Sequence, residues 1–178
     1  MEPVVSIKAK SEDQDLFQSS TPVTADVFRS AMGHFLTGVT IVTTRCTSGT
    51  PYGLTVSSFN SVSLDPPLIL WSLDLGNDRA SLFRESAGFT VNVLPAGCED
   101  LIRTFAAPDA KRFANTAWHW GVTGQPVLKD AIASFECRLW AEYPGGDHAI
   151  FVGEVMDIAT RDGEAAAYFK GQLGTYPL

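Results

Sequence analysis

Cysteine, positive charge and long apolar runs are all scarce in this 178-residue sequence. Its three cysteines, Cys46, Cys98 and Cys137, are too few and too scattered for a disulfide framework or a Cys-x-x-Cys metal site, which favours a reducing compartment. Thirteen lysines and arginines against 20 acidic residues give a formal net charge of −7, which disfavours nucleic-acid binding. No apolar run reaches the roughly 18 residues of a membrane span, and no signal peptide is indicated. These absences predict a cytoplasmic protein with neither a membrane nor a nucleic acid as partner.

The common catalytic sequence motifs are missing as well. There is no Gly-x-Gly-x-x-Gly after a strand, no Gly-x-x-x-x-Gly-Lys-Ser/Thr loop and no Gly-x-Ser-x-Gly elbow. The three histidines, His34, His119 and His148, have no companion histidine or cysteine at metal-ligand spacing. A Rossmann site, a P-loop, a simple hydrolase and a metal site are therefore not predicted.

Apolar periodicity divides the chain into a tail and one domain. Residues 1–23 are polar and aperiodic, so we expect a disordered tail, and residues 24–178 form the predicted domain. Thr24 is the predicted N-cap of a helix that ends at Gly38. Two more short helices are predicted, over residues 77–84 and 99–106.

At least six segments have the pattern of β-strands. They cover residues 39–44, 52–59, 68–73, 89–94, 133–142 and 148–158. In the fifth segment apolar residues alternate with polar ones such as Ser134 and Glu136, which indicates a half-buried strand. Several connections are too short for parallel crossovers, so the strands are expected to be antiparallel. The sequence therefore predicts a mainly β fold, a closed or split barrel with a few short helices.

Small hydroxyl side chains cluster in the segment of residues 53–67. Leu54 and Val56 point to one side of the predicted strand, whereas Thr55 and Ser57 point to the other. Hydroxyls beside backbone N–H groups form a neutral cradle for an anion such as a phosphate. The same residues are also typical of the solvated face of an edge strand, so both interpretations stay open.

Three other segments are candidates for the same ligand. Residues 77–81 open a short helix, which suits an anion but equally suits an ordinary asparagine cap. The basic pair at residues 111–112 adds positive charge, although such pairs usually lie at the surface. His148 follows a glycine pair whose loop could admit a ligand, although a lone histidine there is often only a surface residue.

Together these segments resemble the flavin reductase family, whose members serve two-component flavin monooxygenases. The resemblance extends over residues 25–178 and keeps the family's order of segments. It is carried by residues 35–44, by residues 53–67 with their Pro66-Pro67 end, by residues 89–94 and by Gly146-Asp-His148.

The resemblance implies a split β-barrel with Greek-key antiparallel strands that binds flavin as a homodimer, with its sites near the subunit interface. By position it implies ten flavin contacts, at Thr55, Val56, Ser57, Ser58, Ser72, Leu73, Asn77, Ser81, Arg112 and Phe113. It also implies that His148 binds the nicotinamide nucleotide. No catalytic side chain is expected, because the protein holds two stacked rings in place and the hydride passes directly between them.

The expected function is an NAD(P)H:flavin oxidoreductase that transfers hydride from NADH to FMN or FAD and supplies reduced flavin to a separate monooxygenase. Two alternatives stay open: a non-catalytic flavin carrier on the same barrel, and a split-barrel oxidase of a pyridoxine phosphate, whose basic phosphate clamp is not evident. The acidic balance favours NADH over NADPH. The sequence does not choose between FMN and FAD, or between bound and diffusing flavin.

Overall fold

The computed structural model describes residues 22–77, 80–108 and 111–176. Most of the predicted tail, residues 1–21, and Arg79 of the second predicted helix therefore lie outside the described residues. The described residues form three short helices: α1 (Ala25–Met32), α2 (Ala80–Glu85) and α3 (Glu99–Ala106). No helix in these three described ranges is long and apolar enough to cross a membrane.

Twelve strands make up most of the rest of the described chain. They are β1 (Thr37–Gly38), β2 (Thr40–Arg45), β3 (Pro51–Val56), β4 (Asn60–Leu64), β5 (Pro67–Asp74), β6 (Gly88–Val93), β7 (Trp118–Trp120), β8 (Pro126–Leu128), β9 (Ala133–Gly145), β10 (His148–Thr160), β11 (Ala165–Phe169) and β12 (Gln172–Tyr176). The mainly β prediction is confirmed, and so are the predicted bounds of α3.

Seven strands form one antiparallel sheet in the order β3-β2-β6-β9-β10-β5-β4. The sheet curls so that the end of β3 meets β5 near the opposite edge. The contact is made by Ser58, whose Oγ accepts a hydrogen bond from the Ser72 N–H at 2.9 Å and donates to the Ser72 carbonyl at 3.2 Å. Residues 57–59 join β3 at one edge of the sheet to β4 at the other edge, so the two edges meet and the predicted barrel is confirmed.

Aromatic rings fill the interior of the barrel. The Trp71 ring stacks on Phe151 at 5.0 Å and meets Phe83 and Phe89 edge to face at 4.9 and 5.7 Å. All four side chains are buried. Aromatic rings packed in these arrangements stabilise the fold beyond the burial of their apolar surface. They therefore hold the sheet in place, and the outer face of that sheet carries the site described below.

The first helix is shorter than predicted. Thr24 is its N-cap as predicted and accepts a hydrogen bond from Val27 N–H, but the helix ends at Met32 and not at Gly38. Gly38 lies instead in β1, which pairs with β11, and a strand pairing requires extended backbone there. The predicted apolar face is present but covers nothing, since no residue of α1 is buried.

The bounds of the second predicted strand and of the second predicted helix also change. The segment predicted as one strand over residues 52–59 ends at Val56, and residues 57–59 link β3 to the unpredicted strand β4. The second helix starts at Ala80 among the described residues, three positions after the predicted start. These shifts place Ser57 and Ser58 in a connection and not within a strand.

Glu136 corrects the predicted polarity of β9. It was expected on a solvated face together with Ser134, but both are only 6% exposed. The hairpin of β7 and β8 covers this face, and the carboxylate of Glu136 accepts hydrogen bonds from the N–H groups of Val122 and Thr123 and from the Thr123 hydroxyl. A Cβ at Gly121 would lie 2.2 Å from the carboxylate, so only glycine fits this close approach.

Glu136→Gln is expected to lower the free energy of unfolding by about 2 kcal/mol. The glutamine side chain has one acceptor oxygen in place of two, and that oxygen carries no full charge. Its NH₂ group would therefore face some of the N–H and O–H donors that now bind the Glu136 carboxylate. Urea denaturation of the variant measures this loss. Glu142→Gln is the control, because Glu142 pairs with Arg84 at a solvated site and its replacement should cost under about 1 kcal/mol. Equal losses of unfolding free energy in the two variants would contradict a special stabilising role for the buried Glu136 carboxylate.

Candidate functional site

Two adjoining cavities lie beside the end of β3. The larger measures about 1180 Å³ and is enclosed by α1, by the segment after β3 and by the tip of the hairpin of β11 and β12. The smaller measures about 690 Å³ and lies between β3, α3 and the same hairpin. Ser57, Tyr168 and Gly171 line both cavities. A ligand at Ser57 therefore has access to both spaces.

The three predicted hydroxyls have different partners. Thr55 donates to the Ile102 carbonyl at 2.8 Å and so attaches α3 to β3. Ser58 is occupied by the backbone of Ser72. Ser57 is exposed and makes no hydrogen bond among the described residues. Of the three, Ser57 is the hydroxyl that is available to a ligand, whereas Thr55 and Ser58 position the backbone around it.

The outer face of β5 continues the site toward β10. Side chains alternate along β5, so Trp71 and Leu73 point into the core, and Leu73 is 2% exposed. Ser72 faces outward, opposite Ile150, and only the backbone of Leu73 is left to contact a ligand on this face. Val56, at the end of β3, packs against the same core and also lines the smaller cavity.

His148 stands on this outer face. In the pairing of β10 with β5 it lies opposite Asp74, which is two residues beyond Ser72. The strand spacings then place His148 roughly 8 Å from Ser72, where Ser58 makes its contact. Its Nδ1 lies 2.7 Å from Asp147 Oδ1. This hydrogen bond and the charge of His148 lower the pKa of Asp147. With Nδ1 directed to the carboxylate, Nε2 is the ring nitrogen left to meet a ligand.

The turn after β5 lies at the same end of the sheet as His148. The Asn77 N–H donates to the Asp74 carbonyl at 3.1 Å, and the Leu75 N–H donates to the Asp147 carbonyl at 3.0 Å. Ser81 is exposed on α2, which follows this turn. The structure thus brings the turn at Asn77 and His148 to one end of β5, with Ser81 on the helix that follows the turn and Ser72 farther along β5.

Arg112 and Phe113 lie apart from these residues. The Arg112 side chain is 8% exposed and donates to the Gly53 carbonyl at 2.8 Å and to the Ala107 carbonyl. Phe113 packs edge to face on Phe105 at 5.1 Å in a second apolar cluster. Arg112 lines a third cavity of about 580 Å³, which shares no lining residue with the other two. The basic pair is therefore not a surface pair as expected, because backbone carbonyls hold its arginine inside.

Sequence patterns missed the residues that bring positive charge to the larger cavity. Arg29 and Lys170 line it together with His34, and Asp26, the one carboxylate among the described lining residues, pairs with Arg29 at 2.9 Å. Arg29 lies in α1 and His34 lies just after it, and the prediction of this helix rested on its N-cap and apolar face and not on these side chains. The dipeptide Lys170-Gly171 lacks the asparagine or aspartate that marks such a hairpin turn, so no local signal predicted the last two strands.

The larger cavity suits a flat, weakly polar heterocycle that carries a phosphate. Leu36 and Leu70 provide apolar walls, and Ser57 provides an uncharged hydrogen-bonding group. The Thr37 hydroxyl oxygen in the lining is buried without a partner among the described residues, which is a position that a polar ligand atom can satisfy. The basic residues provide complementary charge for phosphate oxygens.

Two of the three cysteines are held as thiols, and the described residues contain no metal-binding cluster. Burial raises the pKa of Cys98 to about 11 and that of Cys137 to about 12, so both remain thiols at neutral pH. No group of three or more metal-ligating side chains is placed to hold an ion within residues 22–77, 80–108 and 111–176.

Comparisons with known proteins agree with this arrangement. The family described as flavin reductase like domain matches residues 32–177. The FMN reductase (NADH) SmoA of Agrobacterium fabrum is 42% identical over 149 residues, 84% of each chain. The reductase component of a 4-nitrophenol monooxygenase of Rhodococcus opacus is 37% identical over 155 residues, 87% of this chain and 83% of that one. A Streptomyces globisporus NADH:FAD oxidoreductase, solved with NAD and FAD fragments, superposes with a TM-score of 0.80 at 35% identity, covering 84% of this chain and 91% of that one.

Proposed function

The chain belongs to the flavin reductase like domain family, and from that premise we propose how its barrel carries out the reduction of flavin by NADH. The protein is an NADH-dependent flavin reductase that transfers hydride from NADH to FMN or FAD and supplies the reduced flavin to a partner monooxygenase. The observation that carries this conclusion is the family match over residues 32–177, which contains the whole outer-face site from Ser57 to His148.

Particular residues are proposed to hold the two ligands. Ser57, the outward-facing side chain of Ser72, and Asn77 with Ser81 would hold the flavin, since they follow one another along the outer face. His148 would bind the nicotinamide nucleotide through Nε2. When bound, flavin supplies the redox chemistry by accepting the hydride.

The part of this chain in the reaction is orientation. Hydride transfer requires the two rings to be stacked in contact, and holding that geometry replaces an improbable collision in water. Ser58 fixes the backbone on which Ser57 stands, and Thr55 fixes α3 as a wall of the adjoining cavity. The apolar side chains Leu36 and Leu70 restrict water around the rings. No side chain has to act as an acid or a base.

Ser57→Ala is expected to weaken flavin binding by roughly fivefold, because one hydrogen bond to a ligand contributes about 0.5–1.5 kcal/mol. Fluorescence titration with FMN measures the dissociation constant. Ser58→Ala serves as the comparison: its hydroxyl is occupied by Ser72, so its loss should lower stability in urea more than Ser57→Ala does. An unchanged flavin affinity in Ser57→Ala would remove this residue from the site.

NADH oxidation followed at 340 nm, with FMN, with FAD and without added flavin, tests the function itself. Turnover that saturates with added flavin is expected, and the better flavin identifies the preferred one. Turnover that saturates with added flavin also shows that flavin binds and leaves as a substrate. Full activity without added flavin would show that flavin stays bound to the protein. Tight flavin binding with no turnover would instead support the flavin carrier.

A homodimer is the proposed assembly. Val27, Phe28 and Met32 of α1 are 40%, 59% and 50% exposed, and Leu64 of the edge strand β4 is 96% exposed. Exposed apolar residues grouped on one helix are typical of an interface. Because α1 also lines the larger cavity, a second copy seated on it would border the ligand site. Light scattering should give twice the 19.2 kDa of one chain, and a monomer mass would exclude this assembly.

A cytoplasmic location is the last part of the proposal. Cys46, Cys98 and Cys137 are all free thiols in the structure, as is usual in a reducing compartment. Cell fractionation followed by immunoblotting should find the protein with the cytoplasmic markers, and recovery with an extracellular fraction would contradict this location.

A further inference from the structure

The hairpin of β11 and β12 turns through an unfavourable residue. Its two central residues, Lys170 and Gly171, have φ angles of 49° and 78°. Two positive φ values in succession define a turn in which asparagine or aspartate followed by glycine is preferred. Among the described residues, Lys170 is the one non-glycine with a positive φ. A side chain kept in a costly conformation at a cavity is a reason to look for a function.

Contacts at both ends of this residue hold it at the cavity wall. The Lys170 N–H donates to the Gly33 carbonyl at 2.8 Å, which ties the hairpin tip to the end of α1. The ammonium group lies 5.4 Å from the Phe169 ring and pairs with no carboxylate among the described residues. An unpaired cation thus lines the larger cavity of a protein whose net charge is −7.

The larger cavity leaves room for more than one occupant. Pockets for a single small ligand measure roughly 300–1,000 Å³, and this one measures about 1180 Å³ before the adjoining space is added. The flavin and the dihydronicotinamide must be stacked together for hydride transfer. The second ligand brings a diphosphate with two negative charges, which needs a cationic partner in an acidic protein.

We propose that the ammonium group of Lys170 binds the diphosphate of NADH. The assignment rests on the proposed function for the identity of the dinucleotide. Arg29 and His34 stand in the same cavity lining, although Arg29 is already paired with Asp26. Lys170 therefore contributes to the affinity for a hydride donor with a diphosphate, and it takes no part in the transfer itself.

Lys170→Asn separates charge from fold, since asparagine is favoured in this turn. We expect the KM for NADH to rise about fivefold with kcat unchanged, and stability in urea to stay equal or increase. Lys170→Arg keeps the charge and should stay within twofold of the wild type. With 1-benzyl-1,4-dihydronicotinamide, a donor without phosphate, Lys170→Asn and wild type should have the same KM. Lys111→Asn, an exposed lysine at the third cavity, is the control for a general loss of positive charge.

Calorimetric titration with ADP-ribose adds a readout that does not depend on turnover or on bound flavin. Lys170→Asn should bind ADP-ribose about fivefold more weakly than wild type does. An unchanged KM for NADH together with unchanged ADP-ribose binding overturns the proposal, and so does an equal rise in KM for both hydride donors. If the wild type oxidises neither donor with any flavin, the proposed function fails, but the ADP-ribose titration still decides the role of Lys170.

Discussion

Replacing His148 with alanine is expected to raise the KM for NADH about tenfold and to change the dissociation constant of FMN less than twofold. His148 lies opposite Asp74, which is two residues beyond Ser72 on β5, and it is on the outer face of the barrel. From there it can reach a ligand stacked on the flavin without touching the flavin itself. A hydrogen bond from a ligand to such a group contributes about 1.4 kcal/mol at the upper end of the neutral range, which corresponds to a factor of ten. Steady-state kinetics and FMN titration measure the two effects separately.

Two amide variants identify which ring nitrogen matters. Asparagine places its amide where Nδ1 stands and can keep the contact with Asp147, whereas glutamine places its amide where Nε2 stands. If Nε2 meets the nucleotide, His148→Asn should resemble His148→Ala and His148→Gln should recover most of the affinity for NADH. Recovery by asparagine instead would show that the histidine only orders the loop. Parallel losses of NADH and FMN binding would place His148 in the flavin site.

Asp147 gives this pair a defined pH dependence. Since His148 lowers the pKa of Asp147, the carboxylate stays ionised at neutral pH and is protonated only below its ordinary range. The stabilisation from the pair is therefore present at neutral pH and is lost as the pH falls through that lowered pKa. Asp147→Asn should abolish this acid-side effect on the NADH affinity while leaving the FMN affinity unchanged.

The parts of the fold that the sequence predicts are those with strong local signals. Thr24 and the acidic first turn define the start of α1, and the spacing of Ile102 and Phe105 gives the correct bounds of α3. The apolar runs of the barrel interior are long enough to be recognised as strands. Each of these features depends on neighbours within a few residues, so the sequence alone contains the information.

The missing parts depend on residues distant in the chain. The strand Ala165–Phe169 begins with three alanines, which have low β-propensity, and it forms because β1 and β12 lie on either side of it. The same pairing of β1 shortens α1. Glu136 has the spacing of a solvated residue, and only the distant hairpin of β7 and β8 buries it. A tertiary contact overrides the local pattern in each case.

The candidate site divides in the same way. The hydroxyl segment after β3 was found because its residues are consecutive, but the sequence could not show that Thr55 and Ser58 are occupied by Ile102 and Ser72. Alternation along β5 implies that Ser72 and Leu73 face opposite sides, which limits Leu73 to a backbone contact. Lys170 was missed because only the folded hairpin brings it beside α1.

Arg112→Ala is expected to lower the free energy of unfolding by about 3 kcal/mol, because two buried carbonyl groups lose their donors and a cavity remains. The guanidinium joins Gly53 of β3 to Ala107 at the end of α3, and its Cζ lies 5.1 Å from the centre of the Tyr52 ring. A lysine has one ammonium group in place of the planar guanidinium, so it cannot donate to both carbonyl groups in the same way. Arg112→Lys should therefore lose about half as much unfolding free energy as Arg112→Ala. Urea denaturation gives both values, and Lys111→Ala, at the exposed neighbour, should change stability by less than about 0.5 kcal/mol.

The family resemblance implies that Arg112 contacts the flavin, and the same variants decide whether it binds the flavin phosphate. FMN and riboflavin share the ring and differ in the phosphate, so the ratio of their dissociation constants isolates any phosphate contact. Since the donors of Arg112 are directed at backbone carbonyls and its cavity is separate from that of Ser57, the ratio in Arg112→Lys should equal that of wild type. A ratio that falls toward one would assign the phosphate to Arg112. The fold would then use one buried guanidinium both to attach α3 to the barrel and to bind the flavin.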